Sequence, residues 1–577
     1  MSSRIVDTPD PVVVGHTGLV VLDGIGLGVA DVVRLADGTA RPVPGTDAMK
    51  RVTESWDAAR RIAATGRVYG RSTGVGANRT EDVPTEAAAG HGLRLLRSHA
   101  GAIGDELPAR QVRATLAIRA NQLLAGGAGL RPTVVTALCE ALESGAYPVV
   151  NEFGSVGTGD IAALAQVGLA LAGEHPWRSG AGDPGAGRPG VSAGAGRSAE
   201  PGGGDGDAAF GGGRGDGGGS GAAAVVDRGV SDGDPDARGR GEGPSAGHRL
   251  AVGAPEPQPL DNNDALAFIS SNALTLGQAA LALEELRGLV EATQVVAALS
   301  LLAVDGSHEA YAAPVHLARP HRGSGEVARR MRELIGAEDR PTPPLGRIQD
   351  PYGFRCLPQI HGPAHDAADA LEEILRIEIN AAAENPLISP EDMAAYHHGG
   401  FYQAQLALAL DHFRLALTQV ARLSTSRLST LNEPAFTRLR PFLADQEPGA
   451  SGVMILEYAA GAALGDLRAF SAPASLGHAV LSRGVEEQAS FASLAARQTL
   501  RACGAYRLVV GCELVAAVRA LRQRELTPGP GLPVGRALEL ADAALDAEQA
   551  DRPLTADVTA AAALLDRFTE IWRGSEA

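Results

Sequence analysis

A glycine-rich stretch, Gly154-Ser155-Val156-Gly157-Thr158-Gly159-Asp160, combines backbone freedom with a hydroxyl side chain. Glycine adopts backbone conformations that are closed to other residues, and Thr158 stands between two glycines. An apolar run of helical spacing begins at Ile161, so a strained turn leads directly into a buried helix. Such a turn is a place where the backbone itself could react. The alternative is an ordinary turn in which Thr158 or Asp160 caps the following helix.

A second stretch, Val68-Tyr69-Gly70-Arg71-Ser72-Thr73-Gly74-Val75-Gly76, places a tyrosine on a loop. Its three glycines favour a loop over a helix, and a side chain fixed on a loop can reach into a site. Tyr69 is therefore a candidate acid or base. The alternative is that Tyr69 is a half-buried aromatic with a purely structural role.

The turn resembles the signature of the histidine and phenylalanine ammonia-lyase family, which reads G-S-x-G-A-S-G-D-L-A-P-L-A. In that family the Ala-Ser-Gly tripeptide cyclises and loses water to give an electrophile, methylidene-imidazolone (MIO). Gly157-Thr158-Gly159 stands at this tripeptide. The resemblance implies an MIO-type cofactor made from the chain itself, and dehydration of Thr158 would give an ethylidene in place of a methylidene group.

The tyrosine loop is similar to the family's Y-G-x-N-T-G-F-G, in which the tyrosine is the catalytic base. A third block, residues 348–362, is similar to Q-D-x-Y-S-L-R-C-x-P-Q-V-x-G. The resemblance implies that Tyr352 lines the electrophile and that Gln349 hydrogen-bonds the substrate or the ring. Arg355 is the candidate for the substrate carboxylate, because a guanidinium donates two parallel charge-assisted hydrogen bonds to such a group.

Other matches concern the substrate. Ser98-His99 stands where histidine-type members carry Ser-His, and Asp466 stands where their glutamate holds the imidazole. Ser270 replaces an asparagine near the substrate, and Phe401 is expected to stack over the electrophile. The resemblance thus implies non-oxidative deamination of L-histidine to urocanate and ammonia.

The chemistry sets a requirement for Tyr69. The β-proton of an amino acid is barely acidic, so an electrophile must capture the amine while a base removes the proton. Tyrosine titrates near 10 when unperturbed. We therefore expect the surroundings to lower the pKa of Tyr69, with helix N-termini aimed at the site as the means.

Two alternatives remain open. Departures from the family pattern at Ser72, Ser270, Tyr402, Ala450 and Gln488 are compatible with an aminomutase or a biosynthetic variant. The chain is also compatible with a lyase-fold protein that lacks MIO and only binds a small molecule. Thr158 is the residue that distinguishes these readings, since its extra methyl needs room in a strained turn.

The elements that must position these residues are helical. Long runs of helical periodicity predict an all-α fold of long packed helices. The resemblance implies the fumarase/aspartase-like ammonia-lyase bundle, with a small strand-containing N-terminal region. We predict a strand-rich segment at 1–45, a helical part with the active-site loop and turn at 46–174, a central long-helix bundle at 260–526 and a helical tail at 527–577.

Residues 175–259 are dominated by Gly, Ala, Asp, Pro and Arg, a composition that favours a disordered insertion. Family members are homotetramers whose sites are built from three chains. The resemblance therefore implies that Tyr69, Arg355 and the central turn meet across subunits.

Composition excludes several classes of function. The formal charge of −17 argues against a nucleic acid or an anionic membrane as partner. Four scattered cysteines form neither a disulfide framework nor a metal motif, and no metal site is predicted. No signal sequence is recognised, and no apolar segment is expected to span a bilayer. The sequence predicts a cytoplasmic enzyme acting on a small amino acid.

Overall fold

The computed structural model describes residues 18–179, 252–342, 347–529 and 531–573. Helices dominate these residues, as the periodicity predicts. The α-helices, in chain order, are α1 Val29–Ala36, α2 Thr46–Thr65, α3 Thr85–His99, α4 Ala109–Leu124, α5 Thr133–Ser144, α6 Ile161–Leu171, α7 Ala265–Ile269, α8 Ala273–Ala303, α9 Ala313–Ala318, α10 Arg322–Ile335, α11 Tyr352–Arg355, α12 Leu357–Glu378, α13 Ala404–Leu431, α14 Pro434–Thr437, α15 Ile455–Phe470, α16 Ala492–Gln523, α17 Pro533–Ala544 and α18 Thr555–Arg573.

The strands are short and pair only two by two. They are β1 Leu19–Leu22, β2 Arg41–Pro44, β3 Ile103–Glu106, β4 Tyr147–Pro148, β5 Asn151–Phe153, β6 Trp177–Arg178, β7 Leu387–Ser389 and β8 Ala394–Tyr396. β1 pairs with β2 in parallel, and the antiparallel pairs are β3 with β5, β4 with β6 and β7 with β8.

The N-terminal segment, predicted to be rich in strands, also contains the helix α1. β1 and β2 lie within the segment predicted to be rich in strands, but α1 connects them and makes a small parallel unit. Val29, Val32 and Leu35 are buried on one face of α1. Their spacing of three is helical, although valine favours strands. The apolar stretch Val12-Val13-Val14 of the same predicted strand-rich segment lies outside the described residues.

Three long helices form the centre of the bundle. α8 packs against α16 and α4, and α13 packs against α16 and α12. α8 is buried on nearly every face, which is the pattern of a core helix in a large bundle. The carboxylate of Glu513 on α16 accepts hydrogen bonds from Ser300 on α8 and from Ser424 and Arg427 on α13, at 2.6–2.8 Å.

One helical stretch of the bundle combines great length with a strongly apolar composition. The stretch Ala265–Ala303 is long and apolar enough to cross a membrane, and within the described part of the chain it is the one such helix. Its most apolar window is wholly buried inside the fold, as in a core helix.

Regular structure also continues past residue 175, the predicted start of the insertion. Trp177 is buried and its indole donates to the Ala170 carbonyl at 2.9 Å, while β6 pairs with β4. The chain is again described from Val252 onwards. The rest of the predicted disordered insertion lies outside the described residues.

Candidate active site

The glycine-rich turn lies between β5 and α6, and two of its glycines adopt positive φ. Gly157 has φ 89° and Gly159 has φ 115°, conformations that residues with a Cβ rarely adopt. The Ser155 hydroxyl donates to the Gly159 carbonyl at 3.1 Å and accepts from the Gly157 amide at 3.2 Å. The turn is therefore folded tightly on itself around Thr158.

A segment 333 residues away in sequence holds the turn from one side. The Ser490 hydroxyl donates to the Gly157 carbonyl, the Phe491 amide to the Val156 carbonyl and the Ser493 hydroxyl to the Ser155 carbonyl, each at 2.8 Å. We call Ser490, Phe491 and Ser493 the carbonyl clamp. Phe491 is the N-cap residue of α16 and has φ 53°.

Asp160 anchors the other side of the turn. Its amide donates to the Ser271 carbonyl at 2.7 Å, and its buried carboxylate accepts from the Thr275 amide at 2.7 Å and the Thr275 hydroxyl at 2.9 Å. Burial raises the pKa of Asp160. Asp160 is the N-cap residue of α6 but its side chain does not cap that helix, because it is bonded to α8. The alternative of an ordinary turn in which the Asp160 side chain caps α6 is therefore not observed.

Thr158 and Tyr69 line the same cavity, which has a volume of about 540 Å³. Of the predicted site residues, the cavity brings together five: Tyr69, Thr158, Gly159, Ser270 and Phe401. The expectation that Tyr69 and the turn meet across subunits is wrong, because one chain places both in one cavity.

Tyr69 is held by its own loop. Its phenol oxygen accepts from the Gly76 amide at 2.7 Å, and its ring lies edge to face with His397, with centroids 6.3 Å apart. Burial raises the pKa of Tyr69, and Glu486 raises it further, while the Gly76 hydrogen bond and Arg79 lower it. The predicted lowering of this pKa is therefore wrong for the single chain, because burial outweighs the stabilising groups.

Two further predicted site residues, Ser270 and Phe401, are held by hydrogen bonds that each involve one main-chain group. The Ser270 hydroxyl accepts from the Asn385 amide at 3.0 Å, and the Asn272 side chain donates to the Phe401 carbonyl at 2.7 Å. Asn385 itself lines the cavity, and its side-chain oxygen accepts from the His398 amide at 3.1 Å. These bonds join the junction between α7 and α8 to the loops around residues 385 and 401.

Ser98 and His99 do not line the cavity. They lie at the end of α3, where the Ser98 hydroxyl donates to the Leu95 carbonyl at 2.9 Å. The His99 Nδ1 lies 2.9 Å from the same carbonyl and 3.0 Å from the Ser98 hydroxyl. Their polar groups are thus engaged locally within this chain.

Gln349, Tyr352, Arg355 and Asp466 also lie away from the cavity of this chain. Tyr352 is 67% exposed, and Gln349 and Asp466 are exposed as well. The Arg355 guanidinium lies 4.6 Å from the centroid of the Tyr352 ring and donates to the Asp350 carbonyl at 2.9 Å. Arg355 and Tyr352 thus form one local pair next to the exposed Gln349.

The cavity is also lined by polar residues for which no role was predicted, among them Arg79, Asn385, His397, Glu486, Glu487 and Gln488. On sequence alone, Asn385-Pro386 is a helix-stop signal and His397-His398 is typical of a polar loop. Glu486 and Gln488 fall in residues 484–490, which match the spacing of the family's G-Q-E-D-H-V-S. This match is the sequence feature that could have identified Glu486 and Gln488 as site residues. Among the described residues, no group of His, Cys, Asp and Glu is arranged to hold a metal ion.

A family model described as aromatic amino acid lyase matches residues 27–198 and 223–543. The chain belongs to the aromatic amino acid lyase family. Among curated members of this lyase family, the chain is 29% identical over 516 residues to histidine ammonia-lyase of Caldanaerobacter subterraneus, covering 88% of each protein. It is 31% identical over 462 residues to that of Geobacillus kaustophilus, covering 79% of each.

Solved structures show the same fold. The chain superposes on ergothionase from Treponema denticola with a TM-score of 0.78 at 23% identity, covering 96% of this chain and 99% of the other. It superposes on tyrosine aminomutase from Streptomyces globisporus with the same TM-score and identity, covering 96% and 98%. The predicted all-α lyase bundle is confirmed.

Proposed function

We propose that this chain is an ammonia-lyase that converts L-histidine to urocanate and ammonia, with an electrophile formed from Gly157-Thr158-Gly159. One observation carries the proposal: Thr158, within the turn, and Tyr69, a candidate base, line one cavity in a member of the aromatic amino acid lyase family. An electrophile and a base facing one substrate-sized space are what ammonia elimination needs.

The residues of the turn fit an MIO-type group. Gly157 and Gly159 already have positive φ, and the Gly159 amide donates no hydrogen bond to any described residue. Thr158 is at the cavity wall, so its extra methyl has space beside the turn. The Ser155 hydroxyl would hold the turn through the Gly159 carbonyl, which cyclisation leaves in place. When formed, the group supplies an electrophile that captures the substrate amine.

Tyr69 takes the β-proton in this proposal. The Gly76 amide donates to its oxygen and stabilises the phenolate, and Arg79 acts in the same direction. Burial and Glu486 oppose ionisation. A cationic substrate beside the phenol adds positive charge that favours the phenolate.

In the proposal Arg355 binds the substrate carboxylate, Gln349 hydrogen-bonds the substrate or the ring, Tyr352 lines the electrophile, and Asp466 holds the imidazole. All four lie outside the cavity of one chain, three of them exposed. We therefore propose that further copies of the chain bring these residues to the cavity in a homotetramer. Ser98 and His99 remain candidates for the substrate side of the assembled site.

Histidine is the proposed substrate for two reasons. The curated relatives given above are named histidine ammonia-lyases. The cavity wall also carries Asn385, Glu486, Glu487 and Gln488, polar groups that suit an imidazole better than a phenyl ring.

The test is mass spectrometry of a peptide containing Gly157–Gly159, followed by product analysis with L-histidine. We expect a peptide lighter by two water molecules, no such loss in Thr158→Ala, and formation of urocanate. An unmodified wild-type peptide would contradict the proposal and leave a lyase-fold protein without electrophile. A modified peptide with a β-amino acid as product would replace the lyase by an aminomutase.

A further inference from the structure

One carbonyl of the turn, that of Gly157, accepts a hydrogen bond from a buried side chain of a distant segment. The Gly157 carbonyl accepts from the hydroxyl of Ser490, a side chain that is 4% exposed and lies just before α16. That hydroxyl also accepts from the Ala492 amide at 3.3 Å. Ser490 is therefore fixed by the first turn of the helix while it donates to Gly157.

The Gly157 carbonyl is the one that must react if the turn cyclises. The Gly159 nitrogen bonds to the Gly157 carbonyl carbon, and the amide proton of Gly159 passes to the carbonyl oxygen, which becomes a hydroxyl. This hydroxyl leaves as water with the amide proton of Thr158, forming a C=N bond. Thr158 then loses its Cα proton and its hydroxyl as a second water, forming a C=C bond. The sequence involves no oxidation or reduction.

Charge develops on the Gly157 oxygen during the first of these steps. A fixed donor at such an oxygen stabilises the developing charge without reorganisation, as in an oxyanion hole. The N-terminus of α16, a helix of 32 residues, places its positive dipole end at the same place. The other members of the carbonyl clamp act on the Val156 and Ser155 carbonyls, which do not react.

We propose that Ser490 is the hydrogen-bond donor that activates the Gly157 carbonyl for cyclisation of the turn. This inference rests on the proposed function, because it concerns the formation of the proposed electrophile. It assigns Ser490 to maturation of the protein, and the base and substrate residues to turnover.

Ser493 offers a matched control. It is also buried, lies three residues further on and donates to a carbonyl of the same turn at the same 2.8 Å distance. Loss of its hydroxyl removes a comparable clamp bond without touching the reacting carbonyl. A merely structural role for the clamp would make the two serines equivalent.

The experiment follows the mass of the Gly157–Gly159 peptide in full-length protein sampled at intervals after induction. We expect Ser490→Ala to slow the loss of two waters by about 10²–10³-fold, the cost of removing one oxyanion donor. Ser493→Ala should be modified at the wild-type rate. Circular dichroism and thermal unfolding establish that each variant is folded.

Ser490→Cys is the second variant, because a thiol has a similar volume but is a weak donor. If Ser490→Ala fails to fold, Ser490→Cys must show the slowed modification. If folded Ser490 variants are modified at the wild-type rate, the inference about Ser490 is overturned and the proposed function stands. The same holds if Ser493→Ala delays the modification as much as Ser490→Ala does. An unmodified wild-type peptide would overturn the proposed function with it, so the two failures are distinguishable.

Discussion

The phenol oxygen of Tyr69 accepts a 2.7 Å hydrogen bond from the Gly76 amide seven residues further along the same loop. This bond favours the phenolate, but burial and the Glu486 carboxylate favour the neutral phenol more strongly. The single chain thus holds its candidate base mainly in the protonated form at neutral pH. Charges around the ring set how much phenolate is available.

Glu486→Gln should shift the pH profile of kcat/KM. The substitution removes a carboxylate that raises the pKa of Tyr69. Activity that depends on the phenolate rises with pH up to this pKa, so the rising limb should move to lower pH. Arg79→Gln removes a cation that lowers the pKa and should move the limb to higher pH. Shifts in one direction for both variants would contradict control of Tyr69 by these charges.

Tyr69→Phe should remove the proton acceptor and leave the fold intact. We expect kcat to fall by about 10²–10⁴-fold, the usual contribution of a general base. The mass loss at the turn should persist, because Tyr69 takes no part in cyclisation. Steady-state kinetics and peptide mass together test this, and full elimination activity would refute the role of Tyr69.

Thr158→Ser should still mature and retain lyase activity. Serine supplies the same hydroxyl to be eliminated, and loss of the methyl leaves the atoms that react unchanged. The mature peptide should be lighter than the mature wild-type peptide by one CH₂ group. Peptide mass and urocanate formation provide the measurement. A variant that stays unmodified would mean that the threonine methyl is required for cyclisation.

Co-expression of Tyr69→Phe with Arg355→Ala should restore activity that neither variant has alone. In the proposed assembly Tyr69 and Arg355 of one site come from different chains, so mixed tetramers contain some intact sites. Random mixing gives about a quarter of the wild-type activity. The two variants purified separately and assayed together without subunit exchange are the control. No recovery in verified mixed tetramers would place both residues on one chain or exclude a role for one of them.

Glu513→Gln should destabilise the bundle strongly. Glu513 and Arg427 are fully buried, and removal of one partner leaves an uncompensated charge between three helices. We expect the free energy of unfolding to fall by about 3–5 kcal/mol in urea titrations. Glu373→Gln, which breaks the solvent-exposed pair with Arg376, should leave the midpoint unchanged. Equal effects of the two substitutions would contradict the importance of burial.

The sequence predicted those parts of the fold that depend on local pattern. Helix α2, Thr46–Thr65, lies within the part predicted to be helical, and its apolar spacing and flanking glycines are local signals. Helix α1 was missed, since its valines have strand propensity and its helical spacing spans only eight residues.

The site was predictable only in part. Tyr69, Thr158 and Ser270 lie in family-like motifs and meet in the cavity. The contact of Ser490 with Gly157 joins residues 333 apart, and no local pattern reports such a pairing. The pKa of Tyr69 depends on burial and on Glu486, which belong to the tertiary structure. Arg355 was identified from a motif, but its position relative to the cavity depends on assembly.

The close approach of the carbonyl clamp restricts how this turn can evolve or be redesigned. A Cβ atom built on Gly157 would lie 2.2 Å from the Ser490 oxygen and 2.8 Å from the Phe491 amide, too close to be accommodated without movement. Alanine, which the family carries at this position, can therefore replace Gly157 only if residues 490–492 move away from the turn. The identity of residue 157 is therefore epistatic with the start of α16, and a graft of the family tripeptide into this scaffold must bring both segments together.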